Sequence, residues 1–225
     1  MKFAVLGTGT VGRAIGGRLD ELGHDVTIGT RDPQATLART EADGMGNPPY
    51  AEWAAQHNGI RLASFADASA AAEVVVNATS GEASLEVLGL AGGENLAGKV
   101  LIDIANPLDF SAGMPPTLLV KDTDSLGEQI QRAFPAVRVV KTLNTLTAGL
   151  MVRPDTLPEG SSVFVSGDDA EAKAVVSTLL KEFGHTDVID LGDLSTARGT
   201  EMLLPVWLRL MGALGTPNFN FKIVR

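Results

Sequence analysis

The segment KFAVLGTGTVG (Lys2–Gly12) constrains this chain more than any other. Lys2–Leu6 is a short apolar run that can be buried on both faces, and it stops at Gly7. Glycines then recur as G-x-G-x-x-G, and helical apolar spacing follows at Val11, Ile15, Leu19 and Leu22, closed by Gly23. In a strand–turn–helix of this kind Gly7 allows the tight turn, Gly9 lets backbone approach a pyrophosphate, and Gly12 permits close helix–strand packing. The amides around Thr10 and Val11, with Thr8 in the loop, then face an anion at a helix N-terminus.

The same alternation continues. Strands are predicted over Val26–Ile28, Ile60–Ala63, Glu73–Ala78, Lys99–Ala105 and Arg138–Thr142, with helices over Pro33–Thr40, Asp67–Ala72 and Ser125–Phe134. Beyond Leu146 come a strand (Ser162–Val165), a helix (Asp169–Phe183), a strand (Asp187–Asp190) and an apolar helix. This pattern implies an α/β fold: a Rossmann-type, doubly wound parallel sheet with a small C-terminal α/β extension. We divide the chain into a dinucleotide-binding part, 1–150, and a smaller C-terminal part, 151–225. Asp43–Asn58, with the only tyrosine and one of two tryptophans, is an excursion that suits a lid, a subunit contact or a decorated loop.

The end of the second strand names the dinucleotide. A carboxylate there would bind the ribose 2′-hydroxyl of NAD and repel a 2′-phosphate. This chain has Thr30 and Arg31 instead, a hydroxyl donor and a guanidinium fork that suit a phosphate dianion. Asp32 reads as the N-cap of the helix opened by Pro33. NADP is therefore expected over NAD.

Composition excludes several chemistries. A net charge of −9 without a basic run argues against a nucleic-acid partner. The absence of cysteine removes disulfides, thiolate metal sites and redox thiols, so redox chemistry must be carried by a bound cofactor. The opening MKFAVLGTGT does not read as a signal peptide, and Met202–Gly215, interrupted by Pro205 and Arg209, reads as too short for a membrane span. We expect no membrane partner, a core-facing role for that helix, and a cytoplasmic protein.

Acid–base candidates are few. His24 and His185 sit in helix-to-strand turns and read as structural, His57 lies in the excursion, and Lys141 reads as a surface lysine at a strand end. The remaining strand ends carry small uncharged residues: Thr79-Ser80-Gly81, Asn106-Pro107-Leu108 and Asn144-Thr145. Of these, Thr79, Asn106 and Asn144 can orient a nicotinamide carboxamide or an acceptor, or can equally serve as turn and cap residues. No catalytic residue and no metal ligand set is assigned. A cradle for NADP without an acid or base suits direct hydride transfer to a conjugated acceptor, a flavin or deazaflavin. The alternative is an NADP(H)-binding sensor without turnover. A β-hydroxyacid dehydrogenase is disfavoured, because the residues after the core are too few for its helical domain.

Three passages, "MKFAVLGTGTVGRAIGGRLDELGHDVTIGTRDP", "VVKTLNTL" and the stretch from "FVSGDDAEAKAVVSTLLKEFGHTDVIDLGDLSTAR" to "NFKIVR", carry a resemblance. The chain resembles the NADPH-dependent coenzyme F420 reductases and the broader family that includes the NADPH-binding domain of the metalloreductases. The resemblance implies NADP over Thr8 to Gly12, its 2′-phosphate on Thr30 and Arg31, and its nicotinamide near Thr79–Gly81 and Asn106–Leu108, with Ala148 at its edge. It implies coenzyme F420 or FMN as acceptor near Leu143–Leu146, a homodimer, and a C-terminal part that completes the acceptor site and the subunit interface. The sequence departs from the family pattern in its shorter "GTG" loop, at Ser80-Gly81 where the archaeal enzymes carry Pro-Trp, and at Asn144 where they carry His.

Overall fold

The computed structural model describes residues 1–44 and 46–225; Met45, inside the Asp43–Asn58 excursion, lies outside the described residues. Among the described residues ten strands form: β1 (Lys2–Leu6), β2 (Asp25–Thr30), β3 (Arg61–Ser64), β4 (Val74–Asn77), β5 (Val100–Asp103), β6 (Leu108–Asp109), β7 (Thr117–Leu118), β8 (Arg138–Thr142), β9 (Ser162–Ser166) and β10 (Asp187–Asp190). Eight make one sheet in the order β10-β9-β8-β5-β4-β1-β2-β3, and β6 and β7 form a separate ribbon. The order reverses between β1 and β4, the switch point at which ligands bind in doubly wound sheets.

From β3 to β8 neighbouring strands are parallel. The pairing of β8 with β9 is antiparallel, and β10 lies parallel to β9, so the C-terminal strands extend the same sheet instead of starting a second one. The fold is thus the expected Rossmann-like α/β architecture with a mostly parallel sheet.

Helices cover both faces, because strands such as VVVN and VLID are buried on both sides. One layer packs α1 (Thr10–Glu21), α3 (Tyr50–Ala55), α8 (Ala148–Val152) and α9 (Ala170–Phe183) around Ile15, Leu19, Tyr50 and Phe183. The other packs α4 (Phe65–Ala71), α5 (Ser84–Ala91), α6 (Gly93–Leu96) and α7 (Leu126–Ala133) around Phe65, Leu88, Leu96 and Ile130. Helix α5 was not among the expected elements, yet parallel β4 and β5 require a crossover of about that length. The short α2 (Pro33–Ala38) is capped as expected, since the Asp32 carboxylate accepts from the Ala35 amide.

The expected C-terminal helix differs in two ways. It divides at Leu203 into α10 (Ala197–Met202) and α11 (Leu204–Leu214), and it does not face the core. Leu204 is the one buried residue of α11, while Val206 and Leu214 are half exposed (50% and 57%). The tail beyond α11 lies along the start of β9, where Ser162 donates to the Phe221 carbonyl at 2.9 Å. Among the described residues no helix is long and apolar enough to cross a membrane.

Candidate functional site

The glycine loop is shaped by two close approaches. Gly7 has φ +122°, and a Cβ there would stand 2.6 Å from the Ala78 carbonyl oxygen, so the end of β1 can lie against the end of β4 only as glycine. A Cβ on Gly12 would stand 2.0 Å from the Gly7 carbonyl oxygen, which is the close helix–strand contact the motif requires. Gly9, the N-cap of α1, has no side-chain cap and open space around it. The first amides of the 12-residue α1 therefore have no internal partner, and the helix dipole favours an anion before them. These features fit a pyrophosphate.

The excursion braces this loop from behind. Arg13 donates from Nε to the Thr8 carbonyl (2.8 Å) and from Nη1 to the Pro48 carbonyl (2.7 Å), and its guanidinium lies over the Tyr50 ring. Burial pushes the Tyr50 hydroxyl up to about 12, against the opposing pull of Arg13. The Thr10 hydroxyl donates to Asn47 Oδ1 at 2.9 Å, and Asn47 Nδ2 donates to both Asp43 oxygens. His57 stacks on Trp53 and bonds to the Trp53 carbonyl, away from the loop.

At the end of β2 the predicted pair divides. Thr30 is buried, and its hydroxyl shares a 2.9 Å bond with Thr36. Arg31 is exposed, with Nη2 2.9 Å from Glu86 Oε1, an ion pair too solvated to hold the side chain firmly. Arg39, which sequence reasoning missed, stands nearby with Nη2 3.5 Å from the Thr36 hydroxyl.

From the N-terminus of α1 a cavity of about 510 Å³ runs across the ends of β4, β5 and β8 to α11. Of the predicted residues, Thr10, Val11, Thr79, Ser80, Gly81, Asn106, Leu108, Asn144 and Ala148 all line it. Gly7, Thr8, Gly9 and Gly12 form the loop at one end, and Pro107 turns its carbonyl to the Leu119 amide instead. Sequence reasoning missed Phe110, Met151, Leu204 and Trp207 in the wall. Trp207 stacks on Phe219 of the tail, with ring centroids 5.3 Å apart. Glu82, exposed, is the one titratable side chain among the described lining residues.

Two predicted asparagines hold one another. Asn106 Nδ2 donates to the Asn144 carbonyl (2.8 Å), and Asn144 Nδ2 donates to Asn106 Oδ1 (3.1 Å) and to the Thr200 carbonyl (3.0 Å). Buried Leu143, at φ 59°, turns the chain sharply into this pair, a conformation uncommon for a branched residue.

Behind the wall lies a polar row that also corrects the reading of Lys141. Asn77, Asp103 and Lys141 are register neighbours across β4, β5 and β8 and are wholly buried. Lys141 is therefore no surface lysine. Its three protons go to Asp103 Oδ2 (2.8 Å), the Ala105 carbonyl (2.6 Å) and Glu201 Oε1 (2.8 Å). Burial alone would lower its pKa; the two carboxylates overcome that and raise it, keeping the ammonium charged. Glu201 also accepts from the Leu126 and Gly127 amides at the start of α7, fastening α10 to the sheet beneath the cavity. A sequence signal existed: the apolar runs of β4, β5 and β8 each end in polar residues, Asn77, Asp103 and Lys141-Thr142.

A family model described as coenzyme F420-dependent NADP oxidoreductase matches residues 2–107. A crystal structure provisionally named as an F420-dependent NADP-reductase from Arthrobacter sp. FB24 is 66% identical over the whole of both chains, with a TM-score of 0.97. This chain belongs to the F420-dependent NADP oxidoreductase family. The F420-dependent NADP reductase of Methanothermobacter marburgensis is 28% identical over 93% of this chain and 92% of that protein. The rat metalloreductase STEAP3 is 29% identical over 92% of this chain, which spans 38% of that longer protein. As a member of the family the chain is an NADP-dependent oxidoreductase, and the uncapped α1 amides, open Gly9 and exposed Arg31 fit that dinucleotide.

Proposed function

We propose that this protein transfers hydride between NADPH and the deazaflavin coenzyme F420, bound together in the cavity between α1 and α11. The observation that carries the reading is the cavity itself: continuous from the phosphate loop, walled by Phe110, Met151, Leu204 and Trp207, and without a buried acid or base in its wall among the described residues. Such a wall binds flat rings by burial and stacking and excludes water. The chemistry supplied when coenzyme and acceptor are bound is one hydride from NADPH and one proton from solvent, giving NADP⁺ and reduced F420.

The residues divide the work. The α1 amides hold the pyrophosphate, and Arg31, with Arg39 beside it, takes the 2′-phosphate, exchanging Glu86 for a dianion. Thr30 supports that end from within through Thr36. The Asn106–Asn144 pair holds the floor on which the nicotinamide lies, and the part of the chain beyond residue 150 supplies the α11 wall. The apolar face of α11, with half-exposed Val206 and Leu214, suits burial against a second copy. The homodimer is read from that face and from the family.

The test is NADPH oxidation with coenzyme F420, FMN and a ferric chelate supplied in turn. F420 is expected to give the fastest turnover. Faster turnover with FMN would make a flavin the acceptor, and tight NADPH binding without turnover would make the protein a sensor.

A further inference from the structure

The buried row behind the cavity fixes where protons sit at its wall. Lys141 Nζ donates to Asp103 Oδ2 at 2.8 Å and the Ala105 amide N–H donates to Oδ1, so both oxygens of Asp103 stand as acceptors. Its Oδ1 takes the Asn77 amide nitrogen at 2.9 Å and the Ala105 amide at 3.2 Å. This sets the orientation of the Asn77 side chain, since the reversed amide would put oxygen against oxygen. Asn77 Nδ2 also donates to Ser84 (3.0 Å), so its carbonyl Oδ1 faces the cavity side. There it meets the Thr79 hydroxyl at 2.7 Å, and Thr79 must donate, because a carbonyl oxygen has no proton to give. The competing carbonyl of Ser80 is farther, at 3.3 Å, and is also a protein acceptor that would keep the proton from a ligand. Ser84 Oγ, 3.1 Å from Thr79, directs its own proton to Ser80 or to Thr79 and in neither case releases the Thr79 proton.

We infer that Thr79 meets the bound dinucleotide only as a hydrogen-bond acceptor, and that it selects the N–H of the nicotinamide carboxamide. Thr79 lines the cavity at the end of β4, on the far side of the switch point from the phosphate loop. In the doubly wound arrangement the nicotinamide lies in that half. The other side-chain amides of the wall, Asn106 and Asn144, are committed to each other. A carboxamide has two donors and one acceptor, and a fixed acceptor in the wall turns its NH2 inward and so selects one orientation of the group. This inference rests on the NADP reading above and adds the polarity of the contact.

The test is calorimetric titration of the full chain with NADP⁺ and with its 3-acetylpyridine analogue, in which a methyl group replaces the amide nitrogen. The native protein is expected to bind NADP⁺ about tenfold more tightly than the analogue. Thr79→Val should bring the two to near equality by weakening NADP⁺ alone, and Thr79→Ser should restore the preference. Equal binding of both ligands by the native protein, or a preference that survives in Thr79→Val, would overturn the inference and leave the NADP assignment standing. Failure of both ligands to bind would overturn the assignment and this inference with it.

Discussion

Two Asp–Asn–Thr chains end on the same cavity. In one, Asp43 orients Asn47, which takes the Thr10 proton beside the phosphate loop. In the other, Asp103 orients Asn77, which takes the Thr79 proton. The bonding is alike and the surroundings are opposite. The Thr10 bond is exposed, so water can replace Asn47 and the hydroxyl can turn toward a phosphate. Asn77 and Asp103 are wholly buried beside Lys141, where breaking any link strands a polar group. The same division separates Arg31, held only by an exposed pairing with Glu86, from Lys141, spent on the fold. At this site burial makes a polar group part of the framework, and exposure leaves it for the ligand.

The sharpest way to break the comparison is Lys141→Met. It leaves Asp103 and Glu201 facing each other in the interior, and the expected cost is about 3–5 kcal/mol, a fall in Tm of roughly 6–20 °C by calorimetry. A change below about 1 kcal/mol would mean that the buried row contributes little. Next comes Arg31→Ala, which should weaken NADPH binding by about 1.5–3 kcal/mol and leave NADH binding and Tm nearly unchanged. An equal loss for both dinucleotides would remove Arg31 from the 2′-phosphate site.

A pH effect is expected to be smaller. His185 is buried against the Met151 carbonyl, and desolvation lowers its pKa in the folded state. The unfolded chain takes up a proton as pH falls through the ordinary value of 6.5, and the folded chain resists. Stability should therefore decline below that pH and level off below the folded pKa, with a slope of at most about 1.4 kcal/mol per pH unit from this group. Denaturant midpoints of the native protein and of His185→Asn across that range check it, since only the native slope should contain the term. Smallest of all is Asn47→Ala, expected to change stability by about 0.5 kcal/mol or less, because its bonds to Thr10 and Asp43 are exposed or only part-buried and water can replace them.

The glycine loop and the turn after β2 were legible as structure because their determinants are contiguous. GTGTVG specifies its own turn, and Thr30-Arg31-Asp32 follows directly on β2. Even there Thr30 proved to be packed against Thr36, since strand register and not residue type decides which way a hydroxyl faces. The buried row was not legible as a unit. Asn77, Asp103 and Lys141 are distant in the chain and become neighbours only through the β4–β5–β8 pairing, and Glu201 joins them from α10. The helix α11 was misread for a related reason. Its apolar composition matches a core helix, and the half-exposed Val206 and Leu214 become visible only once its packing is known.

Hydride transfer without a protein acid or base is tested most directly by a single-turnover experiment. NADPH-loaded protein is mixed with oxidised coenzyme F420, and NADPH oxidation is followed from about pH 6 to pH 9 in the native protein and in Glu82→Gln. The expected result is NADPH oxidation with one pH profile shared by both proteins, any pH dependence belonging to the acceptor and to the solvent proton that the reaction takes up. An ionisation that disappears in Glu82→Gln, or no NADPH oxidation at all, would contradict it.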